Sequence, residues 1–153
     1  SISFGGIRGP QGLPITKPPY RRITAIDLNK GEHAWQIPFG EGPTNHPAIK
    51  DLDLGPLGTK FQDGVIAEGG LLVTKTLLIG FLPILDELGN REATASLLQA
   101  YNKATGDLLH SIETDRVLHG SPMTYMHEGK QYILITSGGM TEPSELLAFA
   151  LPN

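Results

Sequence analysis

The stretch Thr24–Pro38, TAIDLNKGEHAWQIP, reads as two short strands around a polar turn, and Leu98–Ile112, LQAYNKATGDLLHSI, has the same layout with other residues. The two align without a gap. Ala25 falls on Ala100, Asp27 on Asn102, Gly31 on Gly106 and Trp35 on His110, each pair 75 positions apart. Both turns place glycine where a tight turn needs positive φ. A third, partial copy begins at Ala148 in LLAFALP, 48 positions after Ala100. Repeats of roughly 40 to 50 residues mark propeller blades, each a four-stranded antiparallel sheet. The first interval is stretched by the loop Phe39–Gly70. In such a blade the third strand passes through the turn into the outermost strand. Trp35 there lies across the neighbouring blade, with its indole N–H on a carbonyl. Replacing a docked Trp35 by Ala costs about 3–5 kcal/mol, and His110→Ala much less, because His buries less apolar area. An ordinary hairpin with one buried Trp is the simpler alternative.

Composition agrees with a chain of strands and turns. Nineteen Gly and twelve Pro among 153 residues exceed the usual share of about 12%, which favours short strands over long helices. There is no cysteine, so disulfides, thiolate metal sites and Cys nucleophiles are excluded. A net charge of -4 and a pI near 5.7 argue against a nucleic-acid groove, which needs clustered Lys and Arg to displace counterions. The longest apolar run, GGLLVTKTLLIGFLPIL, is interrupted by Lys75 and Pro83 and falls short of the roughly 20 residues of a membrane helix. No basic-then-apolar segment of the signal-peptide kind opens the chain. It begins on Ser1, as a processed protein or a piece of a longer one would.

Along the chain, β-type runs bounded by turn residues recur and helical periodicity does not. RITAIDL, HAWQIP, LLVTK, TLLIGFL, LLQAYN, LLHSIE, PMTYMHEG, KQYILITSGG and ELLAFALP are the clearest of about ten expected strands. The expected fold is therefore all-β: an incomplete β-propeller of about two and a half four-stranded antiparallel blades. Residues 12–38 supply the outer strands of one blade, 39–70 a long loop, 71–115 a full blade and 119–152 three strands of a last blade. All belong to one partial propeller domain.

Several chemical motifs fail on inspection. DLDLGPLGTKFQD offers Asp51 and Asp53, but an EF-hand loop needs Gly and Glu where Pro56 and Gln62 stand. His46 has no second His at ligand spacing, so zinc has no support. No G-x-S-x-G elbow is present.

The motif A-x-D-x-x-x-G-x-x-x-W at Ala25–Trp35 resembles the tryptophan-docking motif of pyrroloquinoline-quinone (PQQ) dehydrogenases. KPPYRRITAIDLNKGEHAWQIP, LLVTKTLLIG, LQAYNKATGDLL and SPMTYMHEGKQYILITSGG…ELLAFALP together resemble the C-terminal part of the membrane glucose- and alcohol-dehydrogenase type. The resemblance runs from about Gly12 to Pro152. It implies an eight-bladed propeller that oxidises an alcohol or aldose with PQQ and Ca²⁺ or Mg²⁺. An Asp acts as base, and electrons pass to a quinone or cytochrome on the periplasmic side of a membrane. Eight blades need roughly 360 residues. On this reading the catalytic Asp, the Trp on which PQQ stacks and most metal ligands lie outside these residues. The isolated chain is then inactive and binds no cofactor tightly.

Candidate contacts follow from the expected mouth of the propeller. Asp86, Glu87 and Asn90 in PILDELGNREATAS are candidates for substrate or metal contact, and Asp86, Asn90, His119 and Met140 for the substrate face; a solvated polar loop, and for His119 a plain surface histidine, is the simpler alternative. Glucose-oxidising members often carry His after the Gly-Gly pair, where this chain has Met140, which puts a glucose-type substrate in doubt. Lys17 in TKPPY is a candidate for the cofactor's carboxylates, or else part of a polyproline-like lead into a strand. Trp35 and His110 are structural docking positions, and no metal ligand is assigned. The open blade faces imply self-association. A non-catalytic repeat module that binds a protein partner is the alternative function.

Overall fold

A computed structural model describes residues 9–58, 70–84, 95–138 and 143–150; Asp86, Glu87, Asn90 and Met140 lie outside them. Among the described residues there are nine strands and no helix: β1 (Arg22–Asp27), β2 (Glu32–Pro38), β3 (Leu72–Val73), β4 (Leu77–Ile84), β5 (Ala95–Asn102), β6 (Leu108–Thr114), β7 (Leu118–His127), β8 (Lys130–Ser137) and β9 (Glu145–Ala150). They form antiparallel sheets in the orders β1-β2, β3-β4-β5-β6 and β7-β8-β9. The fold is all-β with the sheets of a partial propeller, as the repeat implies. The chain divides into two compact units, Ser1–Ile66 and Ala67–Asn153.

The repeat is a repeat of hydrogen bonds. In the first unit Asp27 Oδ1 accepts the N–H groups of Asn29 and Lys30, and the Gly31 N–H donates to the Asp27 carbonyl at 2.8 Å. In the second unit Asn102 Oδ1 accepts the Ala104 N–H, and the Gly106 N–H donates to the Asn102 carbonyl at 2.8 Å. Gly31 and Gly106 have φ of 70° and 82°, a region open to glycine without the clash a Cβ brings. Ala25 pairs with Trp35 and Ala100 with His110, and each hairpin has its register shift at the next residue. An Asx side chain that closes the turn therefore sets the register of both hairpins, bulge included. Trp35 is half-buried and its counterpart His110 is exposed.

The first unit has a small core. Leu57 and Gly58 return to the base of the hairpin, where the Leu57 N–H meets the Glu41 carbonyl and the Tyr20 N–H meets the Leu57 carbonyl. Buried Phe39 carries the Arg21 guanidinium 4.8 Å above its ring. Burial holds the Arg21 pKa below its ordinary value. A Cβ on Gly58 would clash with the Arg21 carbonyl oxygen, so only glycine fits there.

In the second unit the four-stranded and three-stranded sheets pack face to face. Ile79, Phe81 and Leu98 come from one sheet, Leu118 and Ile135 from the other, with Leu72, Leu77, Ala100, Ile133, Leu147 and Phe149 around them. Each fully buried large apolar chain of this kind contributes about 1.5–3 kcal/mol. No β6 residue joins this cluster. Ile112, cross-strand from buried Leu98, is 41% exposed, because the smaller sheet stops short of β6. Sequence reading ends one strand at Leu82, whereas β4 continues through Pro83 to Ile84. Proline is tolerated because β3 pairs only with Leu78 and Ile79, so no described strand needs a donor on that side of Pro83.

Two outcomes follow. Half-burial brings the expected cost of Trp35→Ala to about 2 kcal/mol, against under ~0.5 kcal/mol for exposed His110→Ala, both measurable by urea unfolding. Tyr101 is buried and donates to Gln99 Oε1 at 2.7 Å. Burial raises its pKa from 10.0 to about 12. The folded chain then keeps a proton that the unfolded chain releases, so stability falls as pH rises from about 10 to 12. In Tyr101→Phe, urea unfolding in that window should show a smaller fall.

Candidate functional site: the glycine-rich end of the last sheet

The end of the second unit where β5 and β7 begin and β8 stops gathers three buried hydroxyl side chains, Ser96, Thr114 and Ser137. Leu118, the first residue of β7, is fully buried, and its N–H donates to Ser96 Oγ at 2.9 Å. The Thr114 hydroxyl lies 3.0 Å from the Ser96 carbonyl and 2.9 Å from that of Arg116, one proton serving two acceptors. Ser137 is as buried as Leu118, yet its Oγ has no partner among the described residues. Arg116 closes the margin with an ion pair to Glu145 at 3.3 Å.

Just beyond this layer the chain turns on glycine. Gly138 has φ of 137°, and a Cβ there would sit 2.9 Å from Ser144 Cα. Its N–H donates to the Val117 carbonyl. Its own carbonyl is bonded to Nε2 of His119. The Thr136 hydroxyl donates to the His119 carbonyl at 2.8 Å. After His119 the register with β8 slips until Met123, and Gly120 with φ of 69° takes the bend. The Gly70 N–H donates to the Gly120 carbonyl, and Gly70 lies so close to Ser121 that a side chain would clash.

His119 is thus brought against Gly138. Asp86, Glu87, Asn90 and Met140 are outside the described residues. Lys17 is exposed in the first unit, next to the cis Pro18–Pro19 bond. His46 has a local role, since its Nδ1 accepts the Ala48 N–H at 3.2 Å. The buried hydroxyls of Ser96, Thr114 and Ser137 escaped sequence reading. Small polar residues at inward positions of apolar strands were the only available signal.

The comparisons agree with this architecture. Residues 2–133 match the family model described as PQQ, glucose/ethanol/alcohol dehydrogenase, beta-propeller domain. The chain belongs to this PQQ dehydrogenase β-propeller family. It is 31% identical over 150 residues to the quinate/shikimate dehydrogenase (quinone) of Acinetobacter baylyi, covering 92% of this chain and 16% of the relative. It is 33% identical over 148 residues to the glycerol dehydrogenase large subunit of Gluconobacter thailandicus, covering 93% and 18%. To the quinoprotein glucose dehydrogenase of Escherichia coli it is 28% identical over 157 residues, covering 99% and 18%. The chain therefore spans less than a fifth of the length of these curated relatives.

The family implies PQQ, and the described residues do not compose its site alone. PQQ carries carboxylates, whereas the described cation at this end, Arg116, is engaged by Glu145. Among the described residues no group of three or more His, Cys, Asp or Glu could hold a metal. No chemical step is assigned to these residues through the cofactor.

The hydroxyl layer makes a sharp test. Ser96→Ala leaves the buried Leu118 N–H without an acceptor and should cost about 1–3 kcal/mol. Ser137→Ala removes a hydroxyl that pairs with nothing described and should change stability by less than ~0.5 kcal/mol. Parallel urea titrations of the two variants would separate them, and a similar loss in both would refute the assignment.

Proposed function

We propose that residues 1–153 are part of a PQQ-dependent dehydrogenase that oxidises an alcohol or an aldose and passes the electrons to a quinone or cytochrome. The family match over residues 2–133 carries this reading. The names of the relatives give the substrate class its range: quinate or shikimate, glycerol and glucose. Work on the periplasmic side of a membrane belongs to the same proposal. No helix among the described residues is long and apolar enough to cross a bilayer.

The isolated chain is inactive on this reading. Preorganised donors and charges supply much of an enzyme's rate, and a site assembled from many blades loses that geometry when most are absent. PQQ with Ca²⁺ or Mg²⁺ is held in the full-length protein, with Lys17 a candidate contact to the cofactor's carboxylates. Asp86, Asn90, His119 and Met140 remain candidates for the substrate face.

One observation favours a second reading, association with protein. Met123 and Leu146 are 54% and 61% exposed, and Tyr125 and Tyr132 stack at 5.2 Å in the same sheet. Apolar surface of this kind drives docking, here self-association of the isolated chain through its open blade faces.

The test is a PQQ titration with Ca²⁺ present, following dye-linked oxidation of glycerol, quinate and glucose, with mass read by light scattering. The 153-residue chain is expected to form oligomers without turnover, and the full-length dehydrogenase containing it to turn over. Turnover by the isolated chain would disprove its inactivity. Absence of PQQ-dependent oxidation in the full-length protein would disprove the enzyme reading.

A further inference from the structure

We draw no further inference here: the strongest candidate, the apolar edge strand β6, which exposes Leu108, Leu109 and Ile112 and pairs with β5 alone among the described strands, carries nothing because no observation in the structure shows what covers it.

Discussion

The packing of the four-stranded sheet on the three-stranded one is the contact on which the second unit depends. Phe81, Leu118 and Ile135 are essentially without solvent exposure at its centre. Burying the backbone at the margin of this contact costs free energy unless its N–H and C=O groups find partners. Ser96 serves that purpose for the Leu118 N–H, and Thr114 holds the turn between β6 and β7. The polar layer therefore belongs to the same solution as the apolar core. It also places the start of β7 beside the end of β8.

From that constraint the geometry of the candidate site follows. Leu118 is drawn into the core, so His119 must face away from it, and the bend at Gly120 releases the strand from its register. Gly138 lacks a side chain because Ser144 occupies that space. The carbonyl of Gly138 is then available to the imidazole. Loops carry binding groups on a rigid scaffold in many folds, and here the scaffold reaches into the loop through backbone hydrogen bonds.

Membership of a large dehydrogenase family and a length below a fifth of its relatives are compatible physical facts. Repeat architectures are stabilised by neighbour-on-neighbour packing, so a few blades can hold their internal sheets while a site shared among many blades stays incomplete. The exposed Ile112 on β6 shows where neighbour packing stops within these residues.

The sequence by itself determined the strands, the turns and their repetition. Those features are local: an Asx side chain, a glycine four positions along and alternating apolar residues act within one hairpin. Asp27 with Gly31 and Asn102 with Gly106 therefore announced both hairpins and their common register. It also placed the family, because the motif at Ala25–Trp35 is a local pattern. The extension of β4 through Pro83 was hidden, since it depends on how little of β4 the short β3 covers. Ser96, Thr114 and Ser137 were hidden for the same kind of reason. A serine in a strand carries no mark of which amide, on a strand far along the chain, will need its oxygen. His119 was visible as a candidate, but its place against Gly138 and opposite Thr136 was not. That place was decided only in the tertiary structure, where sheet register sets residues side by side that the sequence keeps apart.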